Sequence, residues 1–445
     1  MRKWLYRLWL AISLPCVLNL VLLGSQKMWK FGNISVLVIW GLIIGFDQMH
    51  IREKKMLSLR VRMMRKGGSM IYSGLYAMAA QMVVFYQCYF RGRLPYAPGL
   101  PILISNAVIA CAGCFLILGI GVLLIFFTSR RLSIVRRLVM LFTMWIPMVN
   151  LGVLLYACRL VYEEYDFELE KAKLQRLRID SELCKTRYPL IMVHGIGFRD
   201  LRYFNYWGRI PRELKRNGAT IYYGNQEALG TIVYNAEDIK TRILTVLEET
   251  GCKKVNIIAH SKGGLDARYA ISKLQMAPYV ASLTTMNTPH RGCRFVDYAC
   301  KLPDGLYRLV ASCFDRTFRK FGDKNPDFYT ATHQFSTKAS ELFNKEVIDA
   351  KGVYYQSYTS KMKHPWSHLL LSIPYCLIKP LEGDNDGLVS VTSAKWGEFK
   401  GVFSNSHTRG ISHGDIIDLK REDYKGFDPV ETYVKIVNDL KEKGF

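Results

Sequence analysis

Lys253-Lys254-Val255-Asn256-Ile257-Ile258-Ala259-His260-Ser261-Lys262-Gly263-Gly264 runs from an apolar strand pattern straight into the helical pattern that begins Leu265-Asp266-Ala267-Arg268-Tyr269. A serine at such a junction, with small residues two positions before and after it, is a nucleophile elbow. The turn is strained, and larger side chains at those two positions would strike the neighbouring strands. Gly263 meets the requirement, and Ala259 departs from the G-x-S-x-G pattern by one methyl group. The bend aims the hydroxyl and the N-terminus of the new helix at an incoming electrophile. The alternative is a serine that only caps a helix. Two glycines follow this serine, and acid and histidine candidates lie downstream in the order Ser, Asp, His, which favours the nucleophile.

The flanking sequence carries the same alternation outward. Tyr188-Pro189-Leu190-Ile191-Met192-Val193 reads as a short strand ending in His194-Gly195. A helix near Tyr206–Asn217, a strand at Thr220–Tyr223, a helix at Asn235–Thr250 and a strand at Lys254–Ile258 follow. Strands alternating with helices predict a mostly parallel sheet covered by helices, an α/β fold.

From about Tyr188 to Leu419 the chain resembles the bacterial true-lipase family, the triacylglycerol lipases of pseudomonads and their relatives. The resemblance rests on Val193-His194-Gly195, Tyr206-Trp207-Gly208-Arg209-Ile210-Pro211, the elbow, Thr288-Pro289-His290-Arg291-Gly292 and Asn385-Asp386-Gly387-Leu388-Val389, in that order. It implies an α/β-hydrolase domain over 188–445 and hydrolysis of lipid esters through an acyl-enzyme. It assigns Ser261 as nucleophile, Asp386 as the orienting acid and His413 as the base. The backbone N–H groups of Ile196 and Lys262 become the oxyanion donors, which matter because negative charge appears only in the tetrahedral state. Asp384 stays open as an alternative acid and His407 as an alternative base. His260 reads as a structural neighbour of the nucleophile, and His194 and His290 as hydrogen-bonded loop residues. Phospholipase, acyltransferase and non-catalytic sensor readings would share the same residues.

Two departures from the family stand out. The family's calcium site pairs the acid after the histidine, here Asp415, with an aspartate about twenty residues before the triad acid. That region holds Trp366 and no acid, and the glutamine expected later is Leu419. No cofactor is therefore expected, and a calcium site is doubtful. The family's disulfide partner after the triad acid is Thr392. Between Arg291 and Phe343 lies an insert with amphipathic pieces, near 293–343, which the resemblance implies is a lid.

The first third of the chain differs. Of the net charge of +24, residues 1–157 carry +16 with only two acids, Asp47 and Glu53. Those bases fall in short clusters between apolar runs, as membrane flanks do, so no nucleic-acid partner is expected. The runs Trp9–Leu23, Ile34–Phe46, Met70–Phe90, Ile102–Phe127 and Leu138–Tyr156 predict an all-α membrane domain of about five helices over 1–157. Gln81, Asn106 and Asn150 are the main polar residues within the later runs, which suits an anchor better than a transporter. Residues 158–187 read as a solvated helical linker. Five crossings with the basic loops inside would place the catalytic part outside the cytoplasm, in a multi-pass cell-membrane protein. There the cysteines Cys184, Cys252, Cys293, Cys300, Cys313 and Cys376 could form disulfides. The sequence is silent on oligomeric state.

Overall fold

The computed structural model describes residues 14–25, 57–91, 99–178, 181–198, 205–406, 409–422, 424 and 426–445. The chain divides into two compact units, Met1–Leu177 and Arg178–Phe445.

The described part of the first unit is helical: α1 (Leu20–Ser25), α2 (Leu59–Phe85, prolonged by a π turn over Tyr86–Phe90), α3 (Leu100–Thr128), α4 (Ile134–Phe142) and α5 (Pro147–Leu177). Leu59–Cys88 and Leu100–Thr128 are long and apolar enough to cross a membrane. Small residues let α2 and α3 approach closely. A Cβ on Gly121 would stand 3.0 Å from the carbonyl oxygen of Gly67. Polar atoms inside these helices satisfy one another. The Asn19 amide donates to Gln81 Oε1, the Gln81 amide to Asn19 Oδ1 and the Asn106 amide to Asn19 Oδ1, each at 2.8 Å.

Several expectations for this unit need correction. Among the described residues there are two membrane-length apolar helices, not about five. The run Ile34–Phe46 and the start of Trp9–Leu23 lie outside the described residues. The run Leu138–Tyr156 is broken between Phe142 and Pro147. Proline lacks an N–H and turns the residue before it away from helical geometry, so it opens α5 and cannot continue α4. α5 then runs through position 158 to Leu177, so no separate linker starts there. Nor is that stretch solvated throughout. Glu164 is fully buried and accepts from Arg60 Nη1 at 2.5 Å, Ser129 Oγ at 2.7 Å and the backbone N–H groups of Arg130 and Arg131. Two membrane-length helices among the described residues do not, by counting spans, place the catalytic part outside the cytoplasm.

The second unit is an α/β sandwich. Six strands, β1 (Leu190–Val193), β2 (Ile221–Tyr223), β3 (Val255–His260), β4 (Val280–Met286), β5 (Tyr354–Ser360) and β6 (Glu398–Phe403), form a wholly parallel sheet in the order 2-1-3-4-5-6. Helices α6 (Ile210–Arg216), α7 (Ile232–Thr250) and α8 (Lys262–Lys273) alternate with the first strands. α9 (Arg294–Ala299), α10 (Asp304–Lys320), α11 (Phe328–His333) and α12 (Thr337–Glu346) fill the long insert. α13 (Ser372–Glu382), α14 (Val391–Ala394) and α15 (Pro429–Glu442) complete the unit. β1, β3 and β4 are buried along their whole length, as strands covered on both faces must be. Trp207, Ile210, Leu214, Tyr433 and Val437 pack in one core cluster, and Ile239, Ile243, Val246, Ala267 and Ile271 in another. Each leucine, isoleucine or valine among them contributes about 1.5–3 kcal/mol on burial. All eleven cysteines are free thiols, so the disulfides envisaged in the second half are not formed.

Candidate active site

The strand order reverses direction at β1, because β2 lies on one side of it and β3 on the other. Crevices for ligands open at the carboxyl ends of strands at such a switch. The register pairs Val193 with Ala259, so the segments leaving β1 and β3 start level with each other. Gly195, two residues beyond β1, therefore faces Ser261, two residues beyond the pairing on β3. A Cβ on Gly195 would stand 2.9 Å from the Ser261 Cβ.

Ser261 has φ 54° and ψ −130°, a left-handed conformation that a residue with a Cβ rarely adopts. Its N–H donates to Met286 O at 2.9 Å and its carbonyl accepts from Gly264 N at 3.1 Å, so the bend is fixed from both sides. Gly263 is required by contact: a Cβ there would meet the carbonyl oxygens of His194 and Val193. Lys262 is the first residue of α8, where backbone N–H groups have no partner within the helix. Ile196 follows His194-Gly195 in the turn after β1, at the same end of the sheet. Both residues chosen as oxyanion donors thus flank the serine at the strand ends.

Asp386 and His413 come from the loops after β5 and β6. His413 Nδ1 lies 2.7 Å from Asp386 Oδ2, and the carboxylate is fully buried. Asp386 Oδ1 accepts from the N–H groups of Leu388 and Val389 at 2.9 and 2.7 Å. The His413 N–H donates to the Asp386 carbonyl at 2.9 Å, tying the two loops together. Asp384 instead pairs with Lys361 and Lys379, each at 2.6 Å, on the partly exposed side of its turn. His407 lies outside the described residues.

His260 was expected to be a structural neighbour, and its contacts fit that role. Its Nε2 meets the carbonyl of His413 at 3.1 Å and its Nδ1 meets the Tyr206 hydroxyl at 2.6 Å. The carbonyl can only accept, so Nε2 carries the proton and Tyr206 donates to Nδ1. The ring centroids of His260 and His413 are 4.6 Å apart, which places the base candidate beside the residue preceding the serine. Burial holds His260 well below the ordinary histidine range, so it stays neutral. His194 bonds to the carbonyls of Gly195 and Gln226, and His290 bonds to Thr285 and stacks on Trp396.

Residues 190–304 match the family described as "Putative serine esterase (DUF676)". Triacylglycerol lipase 2 of Saccharomyces cerevisiae is 28% identical over 273 residues, covering 56% of this chain and 77% of the relative. A triacylglycerol lipase of Pseudarthrobacter phenanthrenivorans is 37% identical over 179 residues, covering 37% of this chain. The chain spans about half the length of that relative (55%). Residues 190–304 thus match a serine-esterase domain, and the chain is similar to triacylglycerol lipases. Among solved structures, lipase 1 of Pelosinus fermentans aligns at 17% identity and a TM-score of 0.43, over 58% of this chain and 99% of that one.

As a serine esterase the chain is a carboxylic ester hydrolase, and two features of this esterase escaped the sequence. Lys262 and Asp266 form an ion pair at 2.5 Å with both side chains buried directly behind the elbow. Burial pushes Asp266 up to about 6 against the pull of Lys262, and it lowers Lys262. The signal was an i, i+4 Lys–Asp pair enclosing only Gly263, Gly264 and Leu265 at the start of the helix. The second is Arg409, whose Nη2 stands 3.2 Å from both oxygens of buried Asp415. Asp415 also accepts from Ser412 N and the Tyr424 hydroxyl. A guanidinium beside the carboxylate repels a second cation, and no group of three His, Cys, Asp or Glu suited to a metal occurs among the described residues. The residues present do not fit the calcium ion of the family.

Proposed function

We propose that this esterase hydrolyses lipid esters through an acyl-enzyme on Ser261, from a chain anchored in the bilayer by α2 and α3. His413 Nε2 takes the hydroxyl proton as the serine oxygen attacks the ester carbonyl. The N–H groups of Ile196 and Lys262 stabilise the resulting oxyanion. The carbonyl reforms, the C–O bond to the alcohol breaks and His413 returns the proton to the leaving oxygen. Water then repeats the sequence on the acyl-enzyme and releases the fatty acid. Asp386 holds the imidazole in the tautomer that leaves Nε2 able to accept. The observation that supports this reading is the 2.7 Å contact between His413 Nδ1 and the buried Asp386 carboxylate, on loops that converge on a strained serine.

Membranes carrying the full chain, treated with a fluorophosphonate and supplied with short- and long-chain esters, test it. Wild type should be labelled and should release free acid, and Ser261→Ala should do neither. Equal labelling of both proteins would remove Ser261 as nucleophile. Transfer of the acyl group to an added alcohol, with no free acid, would reassign the reaction to acyl transfer.

A further inference from the structure

The sequence from Lys361 to Leu381 contains three lysines and no acid. Within it, Trp366, Leu369, Leu370 and Ile373 are each between 72 and 84% exposed. Four large apolar side chains in eight positions, none of them covered, are more than the scattered surface hydrophobes of an ordinary domain. They sit on two short 3₁₀ turns, Pro365–Ser367 and Leu369–Leu371, and on the first turn of α13, outside the insert that the family resemblance implies is a lid. Exposed Leu377 and Leu381 continue the apolar surface along α13.

The segment is fastened to the catalytic loops at three points. Ser367 Oγ donates to the carbonyl of Arg409, and Arg409 Nε donates back to Ser367 O at 2.7 Å. Arg409 in turn holds Asp415, two residues past His413. Leu371 packs against Gly387, where a Cβ would stand 2.7 Å from the leucine Cβ, next to Asp386. The Asn385 carbonyl accepts from Met362 N at 2.9 Å. The apolar side chains thus project from the supports of both the acid and the base.

We propose that Trp366, Leu369, Leu370 and Ile373 form a lipid-docking foot that inserts into a bilayer surface and sets the catalytic loops against it. An indole and aliphatic side chains, with lysines beside them and no carboxylate among them, match an anionic interface. Lys363 is exposed on this segment, and Lys361 and Lys379, which share the single carboxylate of Asp384, keep it net positive. The proposal deepens the lipid-ester reading and rests on it for the purpose of docking, though not for docking itself.

Two measurements on the full chain in vesicles of phosphatidylcholine and phosphatidylglycerol test it. With brominated acyl chains, wild type should show a quenched tryptophan component that Trp366→Phe lacks. Equal quenching in the two proteins means that the segment stays in water and overturns the proposal. Leu369→Ser/Leu370→Ser should raise KM for a vesicle-borne ester at least about tenfold, as loss of two inserted leucines requires. The same variant should hydrolyse a water-soluble butyrate ester at the wild-type rate. Equal losses on both esters would show that the segment only supports the loops, and a change of oligomeric mass would show that it faces a second copy. Both results reject docking. Quenching that depends on Trp366, in a chain that hydrolyses neither ester, would keep the foot and reject the esterase mechanism.

Discussion

His260 has two acceptor-or-donor atoms and a partner for each, the Tyr206 hydroxyl and the His413 carbonyl. Removing the hydroxyl leaves a buried ring nitrogen without a donor, and an unsatisfied buried group costs about 1–3 kcal/mol. Tyr206→Phe should therefore lower the unfolding temperature of the catalytic unit by several degrees. It should also lower kcat with little change in KM, because the chain of bonds ends on the backbone of His413. An unfolding temperature equal to that of wild type would refute this. Tyr206 and His260 were both visible as motif residues, but their pairing was not. They are 54 residues apart and meet only because the segment beginning at Asn205 packs against the end of β3.

α8 carries its own conflict between local and global demands. Lys262 and Asp266 are an ordinary i, i+4 pair in sequence, and such pairs usually sit in solvent. Here the helix start is buried by the strands it springs from, and both charges go with it. Asp266→Asn leaves an uncompensated ammonium and should cost about 3–5 kcal/mol, whereas Lys262→Met with Asp266→Leu should cost much less. Urea unfolding of the three proteins checks this, and equal losses in single and double variants would sink it. At the same scale, apolar runs are legible as helices but their breaks are not. Pro147 stood in plain view inside the run Leu138–Tyr156, and average hydropathy does not register a missing N–H.

Across the whole catalytic unit, buried titratable groups set the response to pH. His260 and His290 both lie well below the ordinary value of 6.5, chiefly through burial. Their contribution is complete above pH 6.5 and is lost as pH falls, because the unfolded chain takes protons that the folded one refuses. Each can remove up to about 1.4 kcal/mol per pH unit. Asp266 acts in the opposite sense between about 6 and its ordinary 3.8, gaining a proton on folding. Two groups outweigh one, so the urea midpoint should fall between pH 7 and pH 5.5. A midpoint that holds steady or rises over that interval would contradict the assignment.

The α/β class, the elbow at Ser261 and the order Ser, Asp, His could all be read along the chain, because period-two and helical patterns and a strained turn are local constraints on residue type. Whether Asp386 or Asp384 meets His413 could not. The two acids share one turn, and only the folded loops decide which one faces the imidazole and which faces lysines. The ion pair of Arg409 with Asp415, the burial of Lys262 with Asp266 and the projection of Trp366 into solvent belong to the same category. Each depends on which distant segments arrive at a given place, and one-dimensional spacing does not encode that meeting.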